Sequence, residues 1–584
     1  MLTAPPSDDS VLLRDARARR WLLFEAPRDI LQTRRPEELP GLLRDAETAA
    51  ATRGLYAAGF VSYEAAPAFD PALTVRPDPA GFPLLWLGLY DAPREVELPP
   101  AEAEPAPGAP WTPSITPAAY AEAFGRIKHW IREGDTYQVN LTYRLRRAFA
   151  ASPWPFFLRL TAAQRATYGA LVTTRRWTAC SASPELFFSL EGDRLESRPM
   201  KGTAPRGLTP ELDRQNAERL RASEKDRAEN LMIVDMVRND LGRVATPGSV
   251  SVPELFALEK YPTVWQMTST VRAETQAPLC DIFRALFPAA SITGAPKART
   301  MELIAQTEPD PRRLYTGSIG FLAPGRRAQF NVAIRTLLVD RARGEAEYGV
   351  GGGIVWDSDC AAEQAECRTK ARVLSAFVPP FSLLESLLWT PAEGYALLDR
   401  HLARLAESAA YFDVPLDRTA VERRLRTFAQ TLASVTHKVR LLVAPDGADT
   451  LEAAPLPPPP EAPLTVALAR APVDRNDPFL YHKTTCRRVY EEALAARPGF
   501  DDVILFNAEG EVTESSRANV VAEIGGARYT PPVVCGLLPG TFRARLLAAG
   551  EVAERVITVA ELRRSPRVFL VNSVRGWMPV RLTE

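Results

Sequence analysis

Proline divides this 584-residue chain into blocks that no single run of helix or sheet can cross. A Pro/Ala/Glu stretch over 98–117 reads as an extended connector. Val378-Pro379-Pro380 marks a second boundary, and 456–463, with four consecutive prolines, reads as a stiff link within the last block. The organisation expected is an N-terminal subdomain 1–97, the connector 98–117, a long body 118–377, a linker 378–380 and a smaller domain 381–584.

Composition narrows the partners. The 71 Lys+Arg balance 71 Asp+Glu, so no basic field exists to hold nucleic acid or an anionic membrane. The longest strongly apolar stretch, around 82–90, is far below the roughly 20 residues that span a bilayer. The first 15 residues lack the cationic start and apolar run of a secretory signal. Six cysteines without Cys-x-x-Cys spacing and four dispersed histidines suggest reduced thiols rather than a disulfide frame or zinc site. The expectation is a cytoplasmic protein with no nucleic-acid or membrane partner. Only eight of the cationic side chains are lysines. Each lysine is therefore of interest, because its ammonium can lose a proton and become a nucleophile, which a guanidinium cannot.

Within the body, Ser223-x-x-Asp226 predicts a capped helix to about Leu241, stopped by Gly242. A second helix is expected from Thr293-Gly294-Ala295-Pro296 through Leu303. Strand-like runs at 170–174, 185–190, 329–339 and 348–355 make the class α+β. Four stretches carry chemistry. Ser183-Pro184-Glu185 is followed by Arg198-Pro199-Met200-Lys201-Gly202-Thr203, then by Glu229 on the capped helix, then by Gly351-Gly352-Gly353 with Glu363-x-x-Glu366. A glycine triplet lets backbone N–H groups approach an anion. Glu229 lies one turn from Ile233, and a carboxylate facing apolar neighbours needs a cation or a proton. Glu363 and Glu366 share a helical face, and oxygen ligands from two segments suit a magnesium that bridges to substrate. Spacing alone favours reading these glutamates as solvated helix surface, since acidic pairs three apart are common.

Together with Glu133-Gly134-Asp135-x-x-Gln138-Val139-Asn140-Leu141, Ser291-Ile292-Thr293-Gly294-Ala295-Pro296-Lys297 and Ile334-Arg335-Thr336, these words resemble the chorismate-utilising enzymes over roughly 120–377. The resemblance implies an α/β sandwich with two β-sheets. It implies Mg2+ held by Glu229 and Glu366, and chorismate contacted by Tyr315, Arg335, Gly351, Gly352, Gly353 and Lys370. Lys201, in its Pro-x-Lys-Gly-Thr setting, resembles the lysine that attacks ring carbon 2 in the aminodeoxychorismate-forming branch, and Glu185 resembles that branch's proton-transferring glutamate. An anthranilate-type enzyme would carry a small residue in place of Lys201. Gln266 stands where many relatives have a histidine. No Cys/His/Glu glutaminase triad is visible, so ammonia is expected from a separate glutamine amidotransferase subunit or from solution.

The C-terminal block carries Asp399-Arg400-His401-Leu402-Ala403-Arg404 on an amphipathic helix, Tyr481-His482-Lys483, Glu511-Val512-Thr513-Glu514-Ser515-Ser516, and Gly540-Thr541 at a helix start. In order, these resemble the fold-type IV enzymes of pyridoxal 5'-phosphate, which imply a smaller two-lobed domain. Lys483 would carry the cofactor and act on substrate, Arg404 and Thr541 would hold its phosphate, and Glu514 would pair with its ring nitrogen. Ser515-Ser516 departs from the usual Gly-Thr. A homodimer through this domain is implied by the same resemblance. The joint expectation is synthesis of 4-amino-4-deoxychorismate followed by elimination to 4-aminobenzoate and pyruvate. An aminotransferase in the second half, an anthranilate-type first half, and a non-catalytic scaffold remain as alternatives.

Overall fold

The computed structural model describes residues 2, 4–101, 110–374 and 380–583. Part of the expected connector (102–109) and of the linker (378 and 379) lies outside them. The chain forms two compact units, Met1–Pro205 with Asn216–Val378, and Arg206–Gln215 with Pro379–Glu584.

In the first unit the central strands are buried at nearly every position because both faces of each sheet are covered there. Residues alternate between two cores. Val11, Leu13, Leu22, Phe24, Val172 and Leu338 meet Phe60, Trp86 and Phe321 of the other sheet, while Leu12, Leu23, Leu171, Leu337 and Val339 pack with Trp154, Phe157 and Leu160 of the helix Pro153–Gln164. A period of two thus sends neighbours along one strand to opposite layers. The second sheet is backed in turn by Leu39, Leu43, Ile233, Val237, Ile282 and Phe283 from three helices. The result is two ten-stranded sheets packed face to face between helices. Residues 1–97 are no separate layer. Ser10–Asp15 pairs with Tyr168–Thr173 in one sheet, and Tyr56–Val61 pairs with Ser318–Ala323 in the other.

The capped helix runs Glu224–Gly242, with the Ser223 hydroxyl accepting from the Asp226 N–H at 3.2 Å. The second expected helix runs Lys297–Thr307 after Pro296. The run 329–339 differs from the sequence reading. It is two strands, Arg327–Val332 and Thr336–Asp340, lying in different sheets. The chain crosses between sheets at 333–335, and Arg335 takes a left-handed φ of 51° there, which a continuous strand cannot accommodate.

The second unit has a four-stranded antiparallel sheet under the helices Leu398–Phe412 and Arg418–Ala429, and an eight-stranded mixed sheet. The 456–463 connector joins them. In the larger sheet a single pair, Glu514 with Asn519, closes six strands into a ring. All six cysteines are free, and no described helix is long and apolar enough to cross a membrane.

A buried ion pair fastens the strand Gln138–Ala148. Arg312, 1% exposed, grips Glu308 at 2.7 and 3.0 Å and also donates to Asn140 O at 2.8 Å and Ile292 O at 2.9 Å. Arg312→Met leaves Glu308 charged and two carbonyls unpaired, so the first unit should lose about 3–5 kcal/mol. Calorimetry of the full chain reads this as a lowered first-unit transition, partly restored by adding Glu308→Leu. An unchanged transition would mean that water already serves these groups.

Candidate active sites

The strand Met200–Pro205 belongs to one sheet and Glu345–Ile354, which ends in the glycine triplet, to the other. Their ends bring Lys201 against Gly353. A Cβ on Gly353 would lie 2.4 Å from Lys201 Nζ, and one on Gly352 would lie 2.7 Å from Glu363 Oε2. Any side chain at these positions would take the space of the ammonium or the carboxylate. Burial pushes the Lys201 ammonium below the usual lysine range; Glu229 and Glu366 oppose this, and Lys370 adds to it. Glu185 is 3% exposed and accepts a hydrogen bond from Ser291 Oγ at 2.5 Å. Burial pushes its carboxyl up to about 7, against the Ser291 bond and the Lys201 charge. A carboxyl balanced near neutrality beside an amine of lowered pKa can both take and return a proton.

Glu229 comes from the helix Glu224–Gly242, and Glu363 and Glu366 from Cys360–Ala371. Lys370 Nζ donates to Glu366 Oε1 at 2.7 Å and to Gly351 O at 2.8 Å. Burial pushes the Glu229 and Glu363 carboxyls up, and the charges of Glu363 on the first and Glu366 on the second add to it. Among the described residues no three His, Cys, Asp or Glu side chains gather closely enough to chelate a metal alone. A divalent cation between the two helices would complete its shell with oxygens of a bound anion. Gln138, wholly buried, has neither its amide oxygen nor its nitrogen paired among the described residues, and its amide lies 3.3 Å from a Cβ built on Gly353. Such an orphaned amide suits a polar ligand.

Tyr315 and Arg335 both lie near Tyr348 of the same strand. The Tyr315 ring lies on Gly349, where a Cβ would come within 2.2 Å of it, and the Arg144 guanidinium sits 5.0 Å from the ring centroid. Arg335 Nη1 donates to Gln164 Oε1 at 3.2 Å. Gln266 ties down the segment after Lys201. Its Nε2 donates to Gly202 O at 3.0 Å and its Oε1 accepts from Thr203 Oγ1 at 3.0 Å.

In the second unit, Lys483 lies on a short segment bridged to the strand Leu383–Thr390, with Lys483 O accepting from Leu384 N at 3.0 Å. That strand carries Glu385. The Arg404 fork donates to it at 2.7 and 2.9 Å, and His401 Nδ1 lies 2.7 Å from it. Burial pushes the Glu385 carboxyl up, but Arg404 and His401 override this and hold it at about 2. The other ring nitrogen of His401 is 3.2 Å from Thr541 Oγ1, at the start of the helix Thr541–Ala548. Arg404, His401 and Thr541 thus form one connected set at a helix N-terminus, a suitable seat for a phosphate. Glu514 accepts from Tyr490 OH at 2.7 Å, Leu538 N at 3.1 Å and Asn519 Nδ2 at 3.3 Å, and burial pushes it up to about 7. Burial and the Arg404 charge push Lys483 down to about 8.

The model of the chorismate binding enzymes matches residues 8–376. The chain belongs to that family. The model of class IV amino-transferases matches 382–583, and a domain of that class implies pyridoxal phosphate. Among curated relatives, aminodeoxychorismate synthase component 1 of Salmonella typhimurium is 45% identical over 258 residues, covering 44% of this chain and 56% of that protein. The Escherichia coli protein of the same name is 43% identical over the same shares. Anthranilate synthase component 1 1 of Haloarcula marismortui is 41% identical over 281 residues, 48% of this chain and 56% of that one. The chain thus spans little more than half the length of these relatives. The crystal structure of anthranilate synthase component I from Streptococcus pneumoniae shares the fold at a TM-score of 0.54 and 22% identity, over 64% of this chain and 94% of that one.

Of the residues expected from sequence, Lys201, Glu185, Glu229, Glu366, Lys370 and the glycine triplet gather in one place. Tyr315 and Arg335 lie near Tyr348 of the strand that ends in that triplet, and Lys483, Arg404, Thr541 and Glu514 surround a site of their own. Sequence reasoning assigned no role to Gln138, Glu385 or His401. A glutamine or glutamate at a strand position that the apolar pattern calls inward was the available signal for the first two. Amine labelling of the cofactor-free chain across pH, read by peptide mapping, should find Lys483 titrating near pH 8 and Lys201 below the usual 10.5. Normal titration of either would mean that water reaches it.

Proposed function

We propose that this chain makes 4-aminobenzoate from chorismate in two steps. The first unit forms 4-amino-4-deoxychorismate from chorismate and ammonia, which a separate glutamine amidotransferase supplies. The second eliminates the enolpyruvyl group to give 4-aminobenzoate and pyruvate. The observation that carries the reading is the enclosed Lys201 amine set over Gly353 beside the near-neutral Glu185. An anthranilate-type route, in which ammonia itself attacks ring carbon 2, has no use for a lysine filling that space.

In the first step the Lys201 nitrogen bonds to carbon 2, the ring double bonds shift, and the carbon 4 hydroxyl leaves as water. Glu185 takes the proton from the attacking amine and returns one to the leaving hydroxyl. Ammonia then bonds at carbon 4 and gives a proton to Glu185, the double bonds shift back, and Glu185 passes that proton to the Lys201 nitrogen, which departs as a neutral amine. Gln266 cannot shuttle a proton, so proton transfer rests with Glu185. Bound magnesium supplies positive charge for a carboxylate of chorismate, and Glu229 and Glu366 are the residues that would carry it. Arg335 and Lys370 match the anionic groups of the substrate, and the amides of Gly351, Gly352 and Gly353 line the approach.

Pyridoxal phosphate, when bound, supplies a ring that accepts the electrons freed at carbon 4 of the substrate. Arg404 and Thr541 would hold its phosphate, with His401 fixing Thr541 to the Glu385–Arg404 pair. Glu514 would pair with its ring nitrogen. The Lys483 amine, once released, takes the carbon 4 proton as the enolpyruvyl oxygen leaves carbon 3 and the ring becomes aromatic. The Ser515-Ser516 departure keeps a second reading alive, an aminotransferase that exchanges amino groups and releases no pyruvate. Both hydroxyls there are anchored on the buried Asp502, at 3.0 and 2.5 Å.

Incubation with chorismate, magnesium, ammonium and pyridoxal phosphate should give 4-aminobenzoate and pyruvate in equal amounts. Lys201→Ala should lose both by at least about 10³-fold, whereas Lys483→Ala should accumulate 4-amino-4-deoxychorismate without pyruvate. Anthranilate from the wild type would overturn the assignment of Lys201.

The pH dependence has a definite sign. The folded Glu185 carboxyl lies at about 7, above its ordinary 4.5, so its contribution to stability is full below 4.5 and is lost as pH rises through 7. Its proton-accepting form appears in the same window. kcat/KM for chorismate, corrected for the free ammonia fraction, should therefore rise through about pH 7. Ser291→Ala removes a bond to the charged form and should move that limb to higher pH; a limb that stays in place would remove Glu185 from the step.

A further inference from the structure

The strand His437–Val443 buries Val439, Leu441 and Val443 beneath its two helices, so Lys438 and Arg440 stand on the opposite face. Lys438 lies beside Leu388 and Arg440 beside Ser386 on the neighbouring strand. Ser386 O accepts from Ser573 Oγ at 3.4 Å, which brings the loop 572–575 to this face. In that loop Arg575 N donates to Asn572 Oδ1 at 2.8 Å, and Asn572 Nδ2 donates to Arg517 O at 3.4 Å. Arg487 donates to the adjacent Ser516 O. Separate segments thus collect five cations, and burial with the charges of the other four pushes the Lys438 ammonium down. Arg440 is paired with Glu452 at 3.4 Å and Arg517 with Asp502 at 3.3 Å. Lys438, Arg487 and Arg575 have no carboxylate partner among the described residues; Arg487 donates to a carbonyl and lies 4.8 Å from the Tyr490 ring centroid, and Arg575 donates to Pro457 O. Arg487 also acts on the charges of Lys483 and Glu514, so the patch borders the cofactor site.

We propose that this patch binds the two carboxylates of a dianionic ring substrate, with Lys438 and Arg575 as its specificity-determining contacts. The inference rests on the reading that the second unit consumes 4-amino-4-deoxychorismate. That molecule carries one carboxylate across the ring from its amine and another on the enolpyruvyl group, whereas a simple amino acid offers one carboxylate next to its amine. A monocarboxylate offsets one of the three charges that lack a carboxylate partner; a dicarboxylate offsets two. Lys438 offers a rotatable point charge and Arg575 a planar fork.

The test uses the full chain loaded with pyridoxal phosphate and purified 4-amino-4-deoxychorismate. Lys438→Gln and Arg575→Gln should each raise KM about tenfold, with the loss in KM rather than kcat. Lys438→Arg should restore the wild-type KM. Benzene-1,3-dicarboxylate should compete at lower concentration than benzoate, lose ground as salt is added, and lose its advantage in the double variant. Unchanged cofactor absorbance and thermal midpoint show that the variants are folded. Unchanged KM in both variants, or equal inhibition by the two probes in the wild type, would overturn the proposal. If no pyruvate forms but the dicarboxylate advantage is present and vanishes in the double variant, the lyase reading fails and the dicarboxylate subsite stands.

Discussion

The central strands of both sheets of the first unit are covered on both faces, and that constraint governs the chemistry of this unit. A charge set among them or in the turns between them leaves water and must be met inside. Arg312 and Glu308 are met by each other and by two carbonyls, and serve as a fastener. Lys201 and Glu185 are met incompletely, and the shortfall appears as an amine pushed down and a carboxyl pushed up toward one another. The desolvation that makes the fastener costly to break is the same desolvation that readies the lysine and glutamate for proton exchange.

The second unit solves the same problem differently. Glu385 is buried yet held ionised by Arg404 and His401, so the acid keeps the guanidinium and imidazole in place at the start of the helix Thr541–Ala548. Glu514 is buried and near neutrality because a tyrosine hydroxyl, an amide side chain and a backbone N–H only partly offset its burial. One carboxylate is fixed in charge and serves architecture; the other is left able to respond to what binds.

Much of this was legible in the sequence because the residues come in contiguous words. Lys201, Glu185, the glycine triplet, Lys483 and Glu514 each sit in a run whose order is itself the signal, and the capped helix at Ser223 follows from local hydrogen bonding alone. The break at 333–335 was not legible. Ala333 and Ile334 are as apolar as a strand requires, and the need to pass from one sheet to the other puts Arg335 in a left-handed conformation. His401 was hidden for another reason. Its partners, Glu385 and Thr541, stand 16 and 140 residues away, and no local pattern records such a meeting. The cation patch around Lys438 is the extreme case, since its members come from separate segments of a chain with no net charge.

The six-stranded ring of the second unit is closed by one residue pair, and one member of that pair is Glu514. Seam and sensor are therefore the same residue. A group that draws hydrogen-bond strength from the Glu514 oxygens competes with the Asn519 side-chain amide, which spans the same closing pair.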